Sequence, residues 1–134
     1  YLAIVEGIIP ESGTIDLPIA RKEDSIIERC VDTLHGEHAI THYQRLSTVC
    51  LDGFEYSLVQ IQLETGRTHQ IRVHMKAIGH PLPGDFLYNP NYKHIKRQAL
   101  HSYRLEFTHP ISGKALSFTQ NIPADFASLF PMIP

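Results

Sequence analysis

The segment from Leu63 to Tyr88, LETGRTHQIRVHMKAIGHPLPGDFLY, holds the residues of this chain that are best suited to chemistry. Successive residues of a helix turn by about 100°. One face of a helix in this segment would therefore carry four polar side chains, those of Thr68, His69, Arg72 and Lys76. The first amides of such a helix point outward and are able to bind an anion such as phosphate. This basic, polar stripe is therefore a candidate anion-binding or catalytic surface.

The sequence patterns that are typical of other common active sites are absent from this chain. His69 and His74 would lie about 140° apart on a helix, so they do not share a metal ion as the histidines of HExxH do. Cys30 and Cys50 have no CxxC spacing, and we expect them to stay reduced because a chain of this size folds without a disulfide. No GxSxG nucleophile elbow or GxxxxGK[ST] phosphate loop occurs. The sequence predicts no metal site.

Composition indicates one folded domain. The chain has 134 residues, of which 43% are hydrophobic and 19% charged, as is typical of a globular protein. Its formal net charge of -2 differs from the strongly basic balance of a typical nucleic-acid binder, although a local basic face is compatible with it. The basic run NYKHIKRQ is interpreted as a solvated loop. No apolar run approaches the ~20 residues that a membrane-spanning helix needs.

The elements that must position the polar stripe are mostly predicted strands. Ala39–Val49 and Phe54–Leu63 alternate in hydrophobicity on either side of Asp52-Gly53, a strong hairpin-turn signal. Shorter extended stretches are predicted over residues 1–9, 13–19, 26–33, 98–108 and 114–119. A short final helix is predicted from Pro123 to Phe130, with Ala127 and Phe130 toward the body of the domain.

The one main helix lies within the segment that carries the stripe. Thr65 or Thr68 is expected to cap its start. Gly79 is expected to end it in a left-handed conformation, and Pro81 prevents its continuation. Its apolar face carries Ile71, Met75 and Ile78. The predicted fold is α+β, with a mostly antiparallel, mixed β-sheet and one main helix.

The same segment resembles the motif of RluA-type pseudouridine synthases, at Thr65–Arg72 and again at Gly79-His80-Pro81. The resemblance extends outward in register, because YLAIVEG is similar to the family's YxAxVxG strand. Further similar landmarks are GTI with PI and Arg21, AITHY, LH, and FTHP, so the resemblance reaches about Phe118. Residues 1–134 are therefore interpreted as the C-terminal part of a pseudouridine synthase catalytic domain, truncated at its N-terminus.

The resemblance implies isomerisation of uridine to pseudouridine in ribosomal or transfer RNA, with no cofactor, no metal and no membrane, and we expect a cytoplasmic protein. In that family an aspartate in a His-Arg-Leu-Asp motif carries the covalent chemistry or deprotonates the sugar. This chain has no such motif, and its aspartates, Asp85 among them, sit in unrelated contexts. The motif is expected upstream of Tyr1, and the isolated chain is expected to be inactive.

Two catalytic roles carry over from the family by position. Arg72 matches the basic residue that pairs with the catalytic aspartate, and a fixed guanidinium does hold a carboxylate ionised and oriented. The alternative for Arg72 is an ordinary solvated helix arginine. Tyr1 matches the tyrosine that stacks on the flipped target base, since such a base needs an aromatic face. The alternative for Tyr1 is a tyrosine that only packs on the sheet.

Four further residues are expected to bind the substrate. Leu100 matches the apolar residue that packs against the base, and its alternative is a plain core leucine. Arg67, His69 and Gln70 lie within the matched motif. For His69 and Gln70 the sequence leaves two partners open, the protein's own loops or the RNA.

Two other functions remain open at the level of the sequence. One is a non-catalytic RNA-binding module on the same scaffold, which the presence of His-Arg-Leu-Asp before Tyr1 would exclude. The other is an unrelated small-molecule enzyme that uses the stripe of His69, Arg72 and Lys76. Binding of RNA with a steep salt dependence would count against the second alternative.

Overall fold

The computed structural model describes residues 1–102, 104–108, 115–119 and 123–130. Its elements are β1 (Leu2–Glu6), β2 (Ser12–Asp16), β3 (Ile19–Arg21), β4 (Arg29–Val31), β5 (Ile40–Leu51), β6 (Phe54–Leu63), α1 (Gln70–Ala77), β7 (Leu100–His101), β8 (Arg104–Thr108), β9 (Ala115–Thr119) and α2 (Ala124–Leu129). The expected break at His109-Pro110, within the FTHP landmark, lies outside the described residues.

A five-stranded sheet with the order β2-β5-β6-β1-β7 forms the centre, and each pair of neighbours in it is antiparallel. The β5–β6 hairpin turns at Asp52 and Gly53, whose φ angles of 53° and 81° suit a two-residue hairpin. Strands β3 and β4 form a smaller sheet, as do β8 and β9. The predicted α+β fold, with a mostly antiparallel sheet and one main helix, is confirmed.

Two of the predicted extended stretches are divided between sheets. The single strand predicted over residues 98–108 is wrong, because β7 pairs with β1 whereas β8 pairs with β9. The stretch over 13–19 is split into β2 and β3 around Pro18, which has no N–H to donate to a ladder. Alternating hydrophobicity indicates extended backbone and a buried face, but it does not indicate the pairing partner.

Helix α1 packs on one face of the main sheet through its predicted apolar side. Ile71 and Met75 are buried in a cluster with residues of β1 and β6. The other face of the sheet is covered in part by Phe126 of α2 and by Phe130, which directly follows this helix. Ala127, which was expected to face the body, is exposed, because it lies about 100° around the helix from Phe126. No helix in the described residues is long and apolar enough to cross a membrane.

The end of α1 is set by its backbone. Gly79 has a φ of 88°, which confirms the predicted left-handed termination. The amide of Gly79 donates to the carbonyl of Lys76 at 3.0 Å, and the amide of His80 donates to that of Met75 at 2.8 Å. These two bonds form a Schellman motif, which satisfies carbonyls that the helix would otherwise leave unpaired.

The loop that follows α1 is tied to the end of β1 through Glu6. The amide of Glu6 donates to the carbonyl of Pro81 at 2.9 Å, and its carbonyl accepts from Nδ1 of His80 at 2.8 Å. Its carboxylate accepts from the side-chain amides of Asn89 and Asn91 at 2.6 and 3.0 Å. The loop that faces α1 is therefore held in one position relative to the sheet.

Candidate active site

A buried ion pair joins α1 to the loop that follows it. Arg72 donates from Nε to Oδ2 of Asp85 at 2.7 Å and from Nη2 to Oδ1 at 2.8 Å. The two side chains are 9% and 1% exposed. Oδ1 also accepts from the amides of Leu87 and Tyr88 at 3.1 and 3.2 Å. This bidentate, charge-assisted geometry fixes the plane of the guanidinium.

The carboxyl of Asp85 is ionised in this setting. Burial by itself raises its pKa, but the hydrogen bonds from Arg72 and from the amides of Leu87 and Tyr88 outweigh burial, and the pKa is lowered from its ordinary value of 3.8. Asp85 lies outside any His-Arg-Leu-Asp motif, yet it is the carboxylate that Arg72 contacts within this chain. A glycine-aspartate turn after a helix is an ordinary loop signal, so this partner of Arg72 could not be predicted from it.

The ring of Tyr88 packs against Arg72 of this ion pair. Its ring centroid is 4.9 Å from Cζ of Arg72 and 5.8 Å from Nζ of Lys76, both within cation–π range. Its hydroxyl accepts from the amide of Arg29 at 2.8 Å and lies 2.8 Å from Nδ1 of His69. Burial raises the pKa of Tyr88, so its phenol stays protonated at neutral pH.

His69 is held as a neutral imidazole. Its pKa is lowered first by burial and then by the charges of Arg72 and Arg29, against an opposing effect of Asp85. The Tyr88 hydroxyl already accepts from the Arg29 amide and has one proton to donate, so we assign it as the donor to Nδ1. The ring proton then lies on Nε2, which makes no hydrogen bond within the described part of the chain. Nε2–H is an available donor at the surface of the site.

His69 also begins α1, in a way that the sequence did not predict. It is the N-cap residue, with a left-handed φ of 57° and no side-chain cap bond. The predicted cap by Thr65 or Thr68 is wrong, because the Thr65 hydroxyl donates to the Gln70 side chain instead. A left-handed backbone is uncommon for a residue other than glycine. In this conformation the imidazole ring packs edge-on against Tyr88, with centroids 5.6 Å apart.

Gln70 belongs to a buried network that fixes the start of α1. Its Oε1 accepts from the Thr65 hydroxyl and the Arg67 amide, at 2.8 and 2.9 Å. Its Nε2 donates to the Ile40 carbonyl and the Thr41 hydroxyl oxygen, each at 3.0 Å. The amide group is thus saturated by the protein, and the residue is 3% exposed. Of the two alternatives left open for Gln70, this geometry favours contact with the protein's own loops.

The same network continues to His74. The Thr41 hydroxyl donates to Nδ1 at 2.7 Å, and Nε2–H donates to the Leu17 carbonyl at 2.8 Å. Burial lowers the pKa of His74, so the imidazole is neutral and bridges α1 to the main sheet. Within residues 1–102 and the later described segments, no group of three or more His, Cys, Asp and Glu side chains could hold a metal ion.

Tyr1 and Leu100 lie together on the α1 side of the main sheet. The amino group of Tyr1 donates to the Ile61 carbonyl at 3.0 Å, and the Ile61 amide donates back at 2.8 Å. Leu100 is paired with Ala3, which belongs to the cluster under α1. Residues two apart on a strand share a face, so Tyr1 is a diagonal neighbour of Leu100 on that side.

The family model described as RNA pseudouridylate synthase matches residues 1–77, more than half of the chain. The chain belongs to the RNA pseudouridylate synthase family. The matched residues run from Tyr1 through Ala77, the last residue of α1, and include Arg72. The resemblance inferred from the motif at Thr65–Arg72 is thereby confirmed.

Relatives within this family cover nearly the whole chain. The uncharacterised RNA pseudouridine synthase YjbO of Bacillus subtilis is 47% identical over 130 residues, which are 96% of this chain and 44% of that protein. Ribosomal large subunit pseudouridine synthase D of Neisseria meningitidis serogroup A is 40% identical over 145 residues, 99% of this chain and 38% of that protein. The chain therefore spans less than half the length of these two relatives.

Solved structures give the same family fold. Human RNA pseudouridylate synthase domain containing 1 superposes with a TM-score of 0.78 at 27% identity, over 96% of this chain and 55% of that one. Human RNA pseudouridylate synthase domain containing 4 shares the fold, with a TM-score of 0.71 at 22% identity over 97% of this chain and 59% of that one.

In this synthase-family chain the predicted site residues fall on two flanks of α1. Gln70 bonds to β5, which lies toward one end of the sheet order. Arg72 lies about 200° around the helix from Gln70, and so on the opposite flank of α1, where it contacts Asp85 and Tyr88. Tyr1 directly precedes β1, and Leu100 is the first residue of β7. Arg67 stays on the first flank, where it donates to the His38 carbonyl at 2.7 Å.

Proposed function

We propose that this chain forms part of the active site of an RNA pseudouridine synthase, which isomerises uridine to pseudouridine. In this reaction the bond from N1 to C1′ of the uridine breaks and a bond from C5 to C1′ forms. The hydrogen on C5 leaves as a proton, and N1 gains one, so the nucleotide keeps its composition. The observation that carries the proposal is the buried guanidinium of Arg72, which Asp85 fixes through two hydrogen bonds.

Arg72 has one edge left for a second carboxylate. Its Nε and Nη2 are bonded to Asp85, whereas Nη1 makes no hydrogen bond to the residues that the structure describes. Asp85 itself does not serve as the reacting aspartate, because it is 1% exposed and both its oxygens are occupied. The reacting aspartate would come from a His-Arg-Leu-Asp segment, which residues 1–134 do not contain. Arg72 would keep that aspartate ionised and oriented.

The uridine itself would lie against the sheet after flipping out of the RNA. Tyr1, a 39% exposed residue, offers an aromatic ring for stacking, and Leu100 offers an apolar neighbour. Nε2–H of His69 supplies a donor for an oxygen of the nucleotide. Arg67, which is exposed before α1 and paired with Glu37 at 3.2 Å, would contact the RNA, while Gln70 would hold this loop in shape.

The substrate is proposed to be ribosomal RNA, with transfer RNA as the alternative. The preference rests on the relative from Neisseria meningitidis, which is named for the ribosomal large subunit and is 40% identical. We expect the protein in the cytoplasm. Both cysteines are free thiols, and Cys50 is exposed, a state that the reducing cytosol maintains.

Release of tritium from ribosomal RNA labelled at C5 of uridine tests the proposal. We expect no release by the 134-residue chain alone, and release once it is joined to a His-Arg-Leu-Asp segment. In the joined protein, Arg72→Lys keeps the charge but loses the planar fork, and we expect turnover to fall by roughly 10²-fold. Arg97→Lys is the matched control, because Arg97 makes the same fork to Asp125 at an exposed position.

Three outcomes would count against parts of this proposal. Near-normal turnover by Arg72→Lys would reject Arg72 as the pairing residue. Turnover by the unjoined chain would show that the reacting group lies within residues 1–134. Binding of RNA by the joined protein without any tritium release would favour the alternative, a non-catalytic RNA-binding module.

A further inference from the structure

The surroundings of Tyr88 carry an excess of positive charge. Arg72 and Lys76 lie over its ring, and the backbone amide of Arg29 donates to its hydroxyl. Of these three cationic side chains, only Arg72 is paired with a carboxylate, that of Asp85, in the part of the chain that the structure describes. Three positive charges and one negative charge leave an excess of two.

Nearby acidic groups do not cancel this excess. The acidic residue closest in sequence to Arg29 is Glu28, and its carboxylate is paired with Lys22 at 3.1 Å. The Nη1 of Arg29 donates instead to a backbone carbonyl, that of Ile27, at 3.2 Å. Helix α1 contains no acidic residue, so Lys76 has no carboxylate one turn away as solvated helix faces often have.

These positive charges around Tyr88 therefore differ from those of an ordinary solvated surface, where carboxylates commonly balance them. Arg72 and Lys76 lie over one buried ring, and such close like charges repel each other in the absence of an anion. Burial lowers the pKa of His69 most, and the charges of Arg72 and then Arg29 lower it further, which agrees with Arg29 lying near this ring. The proton on Nε2 of His69 adds a neutral donor beside the two unpaired cations.

We infer that Lys76 and Arg29 bind backbone phosphates of the RNA on either side of the flipped uridine. The inference rests on the proposed function, because it takes RNA as the ligand and Arg72 as the neighbour of the target base. Contacts to phosphate fix the register and orientation of a nucleic acid without reading its sequence. Such contacts at Tyr88 would position the uridine relative to Arg72.

Salt dependence of RNA binding tests this assignment. The dissociation constant of a fluorescently labelled ribosomal RNA stem–loop is measured between about 50 and 200 mM salt for the protein and its variants. We expect Lys76→Gln and Arg29→Gln each to reduce the salt slope by about 0.7–0.9, and the double variant by about twice as much. Lys96→Gln is the matched control, since it removes a lysine next to Ile95, on the opposite face of the sheet.

Arg29 needs a second variant, because its guanidinium also holds backbone carbonyls. Arg29→Lys keeps the charge, so its slope should stay close to that of the wild type if charge is what binds. Thermal unfolding of each variant confirms that the fold is retained. Slopes for Lys76→Gln and the double variant that equal the Lys96→Gln slope would overturn the inference.

The two proposals fail in different ways. If the wild-type protein binds RNA and the joined protein releases tritium, then unchanged slopes reject only the phosphate site. If the joined protein neither binds RNA nor releases tritium, the proposed function fails, and the phosphate site fails with it.

Discussion

Asp85, 13 residues beyond Arg72 in the chain, accepts both hydrogen bonds that the guanidinium makes through Nε and Nη2. A second fork of the same chemistry joins Arg97 to Asp125, at 2.9 and 3.1 Å. The side chains of this second pair are 43% and 37% exposed, whereas the first pair is buried. The two ion pairs have the same bidentate geometry and differ in burial, so a comparison of their variants measures the effect of burial on stability.

Removing the charge of Asp85 should destabilise the fold far more than removing that of Asp125. Asp85→Asn leaves a buried guanidinium without its counter-charge, and we expect a loss of about 3–5 kcal/mol in the free energy of unfolding. Asp125→Asn should cost only about 0–1 kcal/mol, because solvent screens the exposed pair. Urea unfolding of both variants measures the difference. Equal losses would contradict a structural role for the buried pair.

Replacing Gln70 should affect stability rather than RNA contact. Gln70→Ala removes the acceptor of the Thr65 hydroxyl proton and of the Arg67 amide, so we expect a loss of about 1–3 kcal/mol. The control is Gln62→Ala, which truncates an exposed glutamine of β6. Urea unfolding and RNA titration are measured on the same samples. Weaker RNA binding with unchanged stability would instead place Gln70 in contact with the substrate.

Gly84 should tolerate no side chain. Its φ is 74°, and a Cβ would lie 2.0 Å from the backbone oxygen of Arg97. We expect Gly84→Ala to cost about 1–3 kcal/mol from backbone strain alone, with the clash added to it. Gly66→Ala is the matched control, because no heavy atom lies within 4 Å of its Cβ position. Thermal unfolding compares the two, and similar midpoints would show that the loop shifts without cost.

Stability should fall as the pH drops below about 6.5, the ordinary pKa of histidine, because His74 is buried in its neutral form. Because the pKa of His74 is lower in the folded than in the unfolded protein, the unfolded chain takes up a proton at a higher pH. The contribution of neutral His74 to the free energy of unfolding is therefore fully present above about pH 6.5, and it is lost as the pH falls through the pKa of the folded state. His74→Gln should flatten this slope between pH 7.5 and 5.5, a window set by about one unit on either side of the ordinary value. His69→Gln serves for comparison, since the pKa of His69 is lowered in the same direction. Denaturant unfolding across this range measures the slopes.

The structural features that the sequence predicted well depend on residues that are adjacent in the chain. The hairpin at Asp52-Gly53 needs two residues that tolerate positive φ, and the end of α1 at Gly79 needs one. The apolar side of α1 follows from the helical period of Ile71 and Met75. The RNA pseudouridylate synthase family was likewise predictable, because its motif is dense and local.

The features that sequence missed depend on pairs of distant or loop residues. Nothing in the alternation of residues 98–108 told β7 from β8, because each partner strand lies elsewhere in the chain. The partner of Arg72 is a loop aspartate whose position is set by the turn at Gly84 and by the tether at Glu6. The left-handed start of α1 at His69 was missed because threonine is the commoner cap.

Sequence separation also bears on the order in which the domain assembles. Arg72 and Asp85 are 13 residues apart, whereas the bonds from Asn89 and Asn91 to Glu6 span 83 and 85 residues. A loop of about ten residues closes in about 10–100 ns, and longer closures cost more chain entropy. We therefore expect α1 and the turn that carries Asp85 to fold early as a local unit, which packs onto β1 later. Pulse-labelled hydrogen exchange during refolding would show this as protection of α1 amides before those of β1, and simultaneous protection would contradict it.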